Sequence, residues 1–506
     1  MIIRINAEKA HKLSNGNGAQ QNVELSAEKT VEERIDNYRK HFLKRCGLRL
    51  EKFSQPSRTY EEIISSDIHV GPEFQRIVER EDLINVTGGD GSMPILTYFH
   101  ISIFDKQILE NLRIKRIERP TLIQKCVIPL VLYKNEYDVI ARAETGSGKT
   151  AAFALPIIQD LYEQKSRGTL MGGAGSGPYA LVVSPTRELT QQLGDSLKTY
   201  ARGLPITVLT TYGETSVFDA IKLIHAGCDI LVSTPGRTMQ FLREKYINLK
   251  YLKFFVLDEA DKLLQDQFIK DITVFKKALD ACNSSYRTLM LSATFDAFIE
   301  RLASRMLRPN FFCASVGSNN TIAETIKQDF VEVSDQEKFE VLYKLLLSTY
   351  KEDYVDEEGL KWKRVGRCLI FCNTRRKTNW LALKLSLHQI RAYSTNGDRT
   401  QQQRQEAKDA FERGACDVLV STNVTARGLN IIGIERIVNY QLPKECEDYI
   451  HRVGRTGRAG NIGRAVSLFD PNNFDDRKLA KHLVYHLRSV NQPVPDFLSQ
   501  YASGLT

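Results

Sequence analysis

Eight consecutive residues have the types and spacing of a phosphate-binding loop. The segment 143–150 reads Ala-Glu-Thr-Gly-Ser-Gly-Lys-Thr and lies between an apolar run and a helix-like run. Glycines let backbone N–H groups wrap a phosphate chain, and the N-terminus of the following helix adds a favourable dipole. We expect Lys149 to reach the terminal phosphates and the Thr150 hydroxyl to hold Mg²⁺. The predicted nucleoside triphosphate site consists of Ala143, Glu144, Thr145, Gly146, Ser147, Gly148, Lys149 and Thr150.

Two acidic residues downstream supply the groups that hydrolysis of the nucleotide needs. Asp258 and Glu259 follow the apolar run 254–257, and we expect a buried strand to carry them. Asp258 can hold Mg²⁺, and Glu259 can polarise the attacking water. A solvated acidic turn is the alternative interpretation, and the phosphate loop upstream argues against it. The pair therefore predicts a nucleoside triphosphatase.

Short apolar runs alternate with longer helical stretches from about residue 94 onward. Such runs are typical of buried parallel strands, and ligands bind at the carboxyl ends of these strands. The first set comprises residues 180–183, 229–232, 254–257 and 289–291. After a polar pause at 316–325, the second set comprises residues 368–371, 417–420, 436–438 and 465–468. The alternation predicts two α/β domains with doubly wound parallel sheets, and the second carries no phosphate loop.

The chain divides into four predicted segments. These are an N-terminal extension at 1–95, a first α/β domain at 96–318, a linker at 319–325 and a second α/β domain at 326–506. The extension is expected to be partly disordered, because residues 14–22 are rich in Gly, Asn and Gln and lack apolar periodicity. A short amphipathic helix opened by Thr30 and a mobile tail are the two alternatives for the part that follows.

Three smaller features lie within the two α/β domains. The glycine-rich stretch 168–177 lacks a Lys-Thr pair and predicts a surface loop, not a second phosphate site. The acidic stretch 350–362 predicts an exposed, irregular insertion. The tail after about residue 487 contains a few apolar residues, so we expect it to pack back onto the second domain.

Composition and charge narrow the class of protein. The 506 residues are 42% hydrophobic and carry a formal net charge of +9, which tilts towards a polyanionic partner. The 9 cysteines are scattered through apolar segments, which is typical of reduced thiols in an intracellular protein and argues against zinc. No apolar run of about 18 residues is present, so the sequence predicts no membrane span. The N-terminal Met-Ile-Ile-Arg-Ile-Asn lacks the long apolar segment of a secretory signal, so none is expected.

The tetrapeptide Asp-Glu-Ala-Asp at 258–261 is the signature of the DEAD-box RNA helicases, and the chain resembles that family at further motifs in the same order. In the first α/β domain these motifs are Phe99 with 117–124, then 185–189, 234–237 and 292–294. In the second domain they are 371–374, 401–404, 422–430 and 451–458. The resemblance covers about residues 80–500. It implies two tandem RecA-like domains joined by a short linker, with ATP and Mg²⁺ as cofactors and RNA as a partner.

The resemblance also implies roles for individual residues. Beside the phosphate loop, the residues expected to bind the nucleotide are Phe99, Ile117, Thr121, Gln124 and Asn430. The residues expected to act in catalysis are Lys149, Asp258, Glu259, His451, Arg455 and Arg458. The residues expected to contact the RNA backbone are Pro185, Thr186, Arg187, Gly213, Thr234, Gly236, Arg237, Asn373, Arg404 and Thr422. The residues expected to couple hydrolysis to unwinding are Asp261, Ser292 and Thr294.

Arg455 and Arg458 lie in the domain that has no phosphate loop. Three residues apart in a glycine-containing segment, both could point at the charge that develops on a transferred phosphoryl group. Arginine fingers of this kind are worth about 10³–10⁵ in rate. We therefore expect a complete active site to form only when the two domains close, with a solvated basic patch as the alternative interpretation.

Several positions depart from the family pattern. They are Arg116, Glu144, Tyr212-Gly213-Glu214 in place of a glycine pair, Asn423, Asn430 and Gln441. Glu144 places a carboxylate near the phosphates, and Glu214 adds a negative charge where RNA backbone is expected. Asn430 replaces an aspartate that holds the ribose, and its amide can still form hydrogen bonds. Since the catalytic residues are retained, we expect an active but slow ATPase.

Three functional hypotheses follow. The first is an ATP-dependent RNA helicase that unwinds short duplexes or remodels RNA–protein complexes by closing two domains on one strand. The second is an ATP-gated RNA clamp or scaffold with little unwinding, and the third is a DNA translocase. The segment 63–95 is similar to the Vasa and Ded branch, whose Vasa-like group includes germ-granule and Mutator-class helicases of small-RNA silencing. That similarity implies a cytoplasmic, germline role at perinuclear RNA granules, for a monomer that works with protein cofactors.

Overall fold

The structure is a computed structural model, and it describes residues 71–91, 95–144, 146–170, 178–264, 268–282, 285–294, 297–317, 325–356, 359–423, 433–457 and 461–504. The predictions for residues 1–70, which include the disordered patch and the helix at Thr30, lie outside the described residues. Most of the predicted linker and the site residues Thr145, Asn430 and Arg458 also lie outside them.

Eight strands among the described residues form the sheet of the first domain. They are β1 (Ile84–Gly88), β2 (Val139–Arg142), β3 (Ala180–Val183), β4 (Val208–Thr211), β5 (Ile230–Ser233), β6 (Phe254–Asp258), β7 (Arg287–Ser292) and β8 (Phe312–Val316). Their order across the sheet is β1-β8-β2-β7-β6-β3-β5-β4. All neighbouring strands are parallel except β1, which pairs antiparallel with β8 at the edge.

Helices connect these strands. They are α1 (Phe74–Val78), α2 (Lys106–Ile114), α3 (Leu122–Tyr133), α4 (Lys149–Ser166), α5 (Arg187–Tyr200), α6 (Val217–Gly227), α7 (Pro235–Arg243), α8 (Ala260–Leu263), α9 (Ile269–Cys282) and α10 (Ala297–Met306). A 3₁₀ turn at Glu81–Leu83 precedes β1.

Successive residues of the central strands point into two separate apolar cores. Val182 of β3 belongs to the core that contains Phe153 of α4. Its neighbour Leu181 belongs to the core that contains Phe275 of α9, on the opposite face. A strand buried on both faces requires apolar residues at every position, which explains the continuous apolar runs. The predicted doubly wound parallel sheet is confirmed.

The second domain is built in the same way around six parallel strands of the described residues. Its strands are β9 (Ile326–Glu332), β12 (Cys368–Phe371), β13 (Ala392–Thr395), β14 (Val418–Ser421), β15 (Arg436–Asn439) and β16 (Gly463–Phe469), and β10 (Glu352–Val355) with β11 (Lys361–Arg364) forms a separate hairpin. The order in the main sheet is β13-β14-β12-β15-β16-β9. Its helices are α11 (Lys338–Leu347), α12 (Arg375–Leu387), α13 (Gln401–Glu412), α14 (Cys446–Val453), α15 (Phe474–Ser489) and α16 (Asp496–Ser503).

Two predicted strands begin one residue too early. β5 begins at Ile230 and β14 at Val418. The aspartate that precedes each strand lies outside the strand and accepts hydrogen bonds through its side chain. The buried carboxylate of Asp229 accepts hydrogen bonds from Lys165 Nζ at 2.9 Å and from the Thr207 amide at 2.7 Å. Asp417 accepts from Arg364 Nη1 at 3.3 Å. A charged residue at this position anchors the strand from outside the apolar layer.

The prediction of an irregular insertion at 350–362 is wrong, since the stretch contains most of a β-hairpin. The acidic strand β10 lies antiparallel to the basic strand β11, so that Glu352 is opposite Arg364 and Asp353 is opposite Lys363. Opposite charges on facing positions stabilise such a pair of strands. The sequence pattern missed the hairpin because β10 and β11 are rich in charged residues and contain few apolar ones.

The prediction that the tail packs onto the second domain is confirmed. In α16, Leu498 is fully buried in the second domain's core, and the ring of Tyr501 lies 5.2 Å from that of Phe469. No helix in the described part of the chain is both long and apolar enough to cross a membrane.

Candidate functional site

The phosphate loop connects the carboxyl end of β2 to the first turn of α4. Gly146 and Gly148 adopt positive φ angles of 83° and 90°, the left-handed region that a residue with a side chain rarely enters. The amide of Ala143 donates to the Ser292 carbonyl of β7 at 3.2 Å, which ties the start of the loop to the neighbouring strand. The sequence therefore folds this segment into the strand, turn and helix that a phosphate-binding loop requires.

Lys149 and Thr150 begin α4 at the end of the loop. The ammonium group of Lys149 donates to the carbonyls of Ala143 and Glu144, and its nitrogen lies 2.7 Å from the second. Its charge is therefore held against the inner rim of the loop. The hydroxyl of Ser147 is buried and has no hydrogen-bond partner among the described residues. The loop thus offers a cation and a hydroxyl to a ligand.

Gln124, one of the residues expected to bind the nucleotide, contacts the phosphate loop directly. Gln124 lies in the first turn of α3, where its Oε1 accepts from the Thr121 amide at 3.0 Å. Its Nε2 donates to the Gly148 carbonyl at 3.1 Å. Phe99 and Ile117 are partly buried and pack against the first domain's core. A side chain expected to read the base is thereby joined to the loop expected to hold the phosphates.

Asp258 ends β6, and Glu259 follows it as the N-cap of α8. Both are buried, and Glu259 has a φ of 50° as the strand turns into the short helix α8. The Oε2 atom of Glu259 is buried without a hydrogen-bond partner in the described residues. A buried carboxylate oxygen in this position has an open acceptor site for a water molecule.

The electrostatics of this site couple Asp258 to Lys149. Burial raises the pKa of Asp258 to about 7, and the adjacent Glu259 carboxylate adds to the rise. Burial lowers the pKa of Lys149 to about 8, although the nearby carboxylates oppose that change. Four carboxylates, those of Asp258, Glu259, Asp261 and Glu144, act on the single ammonium group of Lys149, so an added divalent cation would offset excess negative charge. Titratable groups shifted in this way towards neutral pH are typical of active sites.

A chain of hydrogen bonds joins the two domains through Asp261. Its Oδ2 accepts from the Thr294 hydroxyl, and His451 Nε2 of the second domain lies 3.0 Å from the same atom. The Ser292 hydroxyl donates to the Thr294 carbonyl at 2.5 Å. Burial alone would raise the pKa of Asp261, but His451 with Lys262 and Thr294 holds it well below its usual range. Of the three residues expected to couple hydrolysis to unwinding, Asp261 therefore contacts the second domain. Thr294 binds the same oxygen of Asp261, and Ser292 is joined to Thr294.

Two further ion pairs join the domains. Lys262 Nζ lies 3.4 Å from Asp448 Oδ1, and Lys262 is buried. Arg404 Nη1 of α13 lies 2.6 Å from Glu188 Oε1 of α5, and both side chains are 13% exposed. Arg404 was expected to contact RNA, but here its guanidinium is paired across the domains.

Arg452 is a buried centre of hydrogen bonds in the second domain. It donates to Asn423 Oδ1 at 2.5 Å, to the Gln441 carbonyl at 2.6 Å and to Asn373 Oδ1 at 2.7 Å. Asn423 in turn donates to Asp448 Oδ2 at 2.7 Å. Asn423, which departs from the family pattern, thus accepts from this guanidinium through a neutral side chain, whereas Gln441 accepts through its backbone carbonyl. Asn373, expected to contact RNA, is an exposed residue whose Nδ2 also donates to the Leu442 carbonyl at 2.7 Å.

The predicted RNA residues of the first domain cluster at the carboxyl ends of β3, β4 and β5. Pro185 precedes Thr186, whose hydroxyl accepts from the Leu189 amide and caps α5. Thr234 and Gly236 lie at the N-terminus of α7. Helix N-termini of this kind favour anions. The structure therefore brings these groups together at one sheet edge.

Arg187 and Arg237 lie at the same edge. Arg237 is buried and donates through Nη2 to the carbonyls of Tyr212 and Thr215 at 2.7 and 2.9 Å. Arg187 Nη1 lies 2.8 Å from Glu214 Oε2. Gly213 lies against the Arg187 guanidinium, since a Cβ added to it would be 3.2 Å from Arg187 Nη2.

Arg455 and Thr422 are both buried in the second domain. Arg455 Nε donates to the His451 carbonyl at 3.0 Å, one helical turn back. The Thr422 amide donates to the Thr395 carbonyl at 3.4 Å, at the carboxyl end of β14. Arg455 therefore stands one turn beyond the residue that contacts Asp261.

Four residues lie in the contacts between the domains or beside them but were not among the predicted site residues. They are Glu188, Lys262, Asp448 and Arg452. Three of them are adjacent in sequence to a residue that was singled out, which is the signal that could have found them. Asp448 had only its position in the helix before His451.

Two protein families match this chain, one in each domain. The DEAD/DEAH box helicase family matches residues 121–302, and the helicase conserved C-terminal domain family matches residues 337–460. Together these matches cover more than half of the chain. The chain belongs to the DEAD-box helicases. The predicted pair of RecA-like domains is therefore confirmed.

Relatives of this DEAD-box protein include two curated proteins. It is 33% identical over 461 residues to the probable ATP-dependent RNA helicase DDX4 of Pelophylax lessonae, which covers 90% of this chain and 60% of the relative. It is 35% identical over 450 residues to the ATP-dependent RNA helicase vasa of Drosophila melanogaster, which covers 89% of this chain and 64% of that protein. The chain thus spans somewhat under two thirds of each relative. These matches confirm the predicted resemblance to Vasa-like members.

A solved structure shares the fold. The structure of S. cerevisiae Dbp5 bound to RNA and ADP BeF3 matches with a TM-score of 0.62 at 25% identity, and covers 79% of this chain and 98% of Dbp5. The chain therefore shares its fold with this solved structure over most of its length.

Proposed function

We propose that this DEAD-box protein is an ATP-dependent RNA helicase, which unwinds short RNA duplexes or remodels RNA–protein complexes. The observation that carries the proposal is the contact of Thr294 and His451 with one oxygen of Asp261. It links the nucleotide site of the first domain to the second domain through a single buried carboxylate. A change at the nucleotide can therefore alter how the two domains hold a strand.

The proposed chemistry is hydrolysis of ATP in the first domain. Lys149 would neutralise charge on the terminal phosphates, and Glu259 would orient and polarise the attacking water through its unsatisfied Oε2. Arg455, which belongs to the second domain, would bring positive charge to the transferred phosphoryl group. Because that arginine belongs to the other domain, hydrolysis would depend on domain closure.

The residues present fit a magnesium ion. Burial, and after it the adjacent Glu259 carboxylate, raises the pKa of Asp258, and a divalent cation would favour its charged form. Mg²⁺ is bound by one or two carboxylates together with water and substrate phosphates. Asp258 and the Thr150 hydroxyl would hold it, and the ion would neutralise charge on the phosphates. The described residues contain no cluster of three or more metal-ligating side chains, and such a site requires none.

Closure on one RNA strand would use the edge that Thr186, Arg187, Thr234 and Arg237 share. Hydroxyls, guanidinium groups and helix N-termini bind phosphates and do not select bases, so we expect little sequence specificity. Contacts to 2′-hydroxyls would favour RNA over DNA.

An ATP-gated RNA clamp with little unwinding is the second candidate. The observation that favours it is that Glu144, a departure from the family pattern, adds a carboxylate to the charges around Lys149 in the phosphate loop, where it would slow turnover of the nucleotide. An enzyme that releases its strand slowly and turns over rarely would act as a scaffold for other proteins.

Strand displacement distinguishes the two candidates. A helicase would release a short RNA strand from a duplex in the presence of ATP, and Lys149→Ala would abolish that release. A clamp would retain RNA in an ATP-dependent manner but displace no strand. RNA-stimulated phosphate release measured in parallel would test the hydrolysis itself, and a duplex of DNA would test the DNA translocase.

We further propose a cytoplasmic role in germline small-RNA silencing at perinuclear granules. The similarity to Drosophila melanogaster vasa supports this proposal. The proposed protein is a monomer with protein cofactors. Crosslinking and sequencing of its bound RNA in germ cells would show enrichment of small-RNA targets, and a random sample of cytoplasmic RNA would contradict the proposal.

A further inference from the structure

The turn between β4 and α6 holds a carboxylate on the RNA-facing edge of the first domain. Glu214 lies in this turn, and its Oε2 is 2.8 Å from Nη1 of Arg187. Its side chain is 58% exposed, whereas that of Arg187 is 30% exposed. The ion pair is therefore at the surface, and Glu214 is its more solvent-exposed member.

The backbone of this turn is fixed independently of the ion pair. Arg237 donates to the carbonyls of Tyr212 and Thr215, and the Thr215 hydroxyl donates back to the Tyr212 carbonyl at 2.7 Å. Glu214 itself has a φ of 77°, a conformation that residues with a Cβ seldom adopt. The turn is thus built in a shape that suits glycine, and a glutamate occupies it.

The guanidinium of Arg187 is held from two sides. Gly213 packs against it closely enough that a Cβ would lie 3.2 Å from Nη2, and Glu214 pairs with Nη1. Arg187 also acts on Arg237, because burial and the charge of Arg187 together lower the pKa of Arg237. Two positive groups therefore lie near each other at this edge.

The second of these groups has an open hydrogen-bond donor. Nη1 of Arg237 is buried and has no hydrogen-bond partner among the residues described. Two neighbouring guanidinium groups, one with an unused donor, form a site that suits a phosphate. In the described residues, the carboxylate that forms an ion pair with Arg187 is that of Glu214.

We propose that Glu214 competes with an RNA phosphate for Arg187 and so sets a low affinity for the RNA backbone. The inference rests on the proposed function. A phosphate that binds Arg187 must displace the carboxylate, which then remains unpaired beside the phosphate. Glu214 is thus a residue that determines how tightly the first domain holds a strand.

The competition has a distinct salt dependence. A phosphate that replaces Glu214 releases its own counterion, but the freed carboxylate takes one up. In Glu214→Gln the carboxamide takes up no counterion, so one more is released. The slope of log affinity against log salt concentration should therefore become steeper by about 0.7, the value for one contact on a single strand.

The experiment measures binding of a fluorescent single-stranded oligo(U) RNA by anisotropy, with a non-hydrolysable ATP analogue, over a range of KCl concentrations. Glu214→Gln should bind about twofold to fivefold more tightly than the wild type, the range of an exposed ion pair, and show the steeper slope. Glu214→Gly should bind at least as tightly, because it removes the charge and suits the positive φ. The matched control is Glu435→Gln, which removes a carboxylate 47% exposed from an ion pair with Lys351 in the second domain.

The outcomes separate the inference from the proposed function. If the wild type binds the ATP analogue but no RNA, the proposed function fails. If the wild type binds RNA and Glu214→Gln binds it equally or more weakly, the competition is refuted, and weaker binding would mean that Glu214 positions Arg187 for RNA. If Glu435→Gln reproduces the gain and the slope, the effect is one of net charge and the inference is also refuted.

Discussion

Replacement of His451 by alanine should weaken the ATP-dependent grip on RNA. The imidazole Nε2 lies 3.0 Å from Asp261 Oδ2, and both side chains are nearly inaccessible, at 3% and 2% exposed. A hydrogen bond to a charged group contributes about 1.5–3 kcal/mol. If that energy stabilises the closed arrangement, RNA affinity in the presence of an ATP analogue should fall about 10-fold to 150-fold. RNA affinity without nucleotide should change little.

The assay is RNA binding by anisotropy with and without the analogue. The matched control is His482→Ala, which removes the same side chain from an exposed position on α15. A double-mutant cycle with Asp261→Asn isolates the pair, because both partners then change. A coupling energy below about 0.5 kcal/mol, or an equal loss of affinity without nucleotide, would refute the role of this contact in closure.

Three other predictions concern the nucleotide site. Glu259→Gln should retain ATP binding but slow phosphate release by about 10²–10⁴, as loss of a general base does, and a malachite-green assay beside ATP titration measures both. Gly148→Ala should weaken ATP binding at least about tenfold, because its φ is 90° and the new Cβ would lie 2.4 Å from Gln124 Nε2. The control is Gly168→Ala, whose new Cβ meets no atom within 4 Å. Equal losses of ATP affinity in the two variants would contradict the reasoning. Mg²⁺-dependent ATP affinity should rise about tenfold from pH 6 to pH 8, because the pKa of Asp258 is about 7 and the metal requires its ionised form. Calorimetry that finds the same pH dependence in Asp258→Asn would contradict the assignment of this titration to Asp258.

The parts of the fold that are buried on both faces could be predicted from the sequence. β3, β6 and β12 are continuous apolar runs because helices cover both sides of each sheet. The edge strands β1 and β4 could not be predicted in this way, since β1 alternates exposed with partly buried residues and β4 is mostly partly buried. Partial burial removes the requirement for apolar residues at every position, and with it the pattern.

The site was predictable to a similar extent. Gly148, Asp258 and Asp261 are constrained by local geometry or chemistry, so their residue types identify them. The partners of Arg187 and Arg404 could not be predicted, because an ion pair between distant segments depends on how the sheets bring their edges together. Charge on a long flexible side chain does not specify its partner.

RNA-stimulated hydrolysis combined with strand displacement tests the central claim most directly. The purified chain is mixed with ATP, Mg²⁺ and a short RNA duplex that carries a single-stranded extension, and phosphate release and free strand are followed together. The wild type should show slow but RNA-dependent hydrolysis with strand release, and Glu259→Gln should show neither. Hydrolysis that RNA does not stimulate, or a Glu259→Gln variant as active as the wild type, would contradict the account.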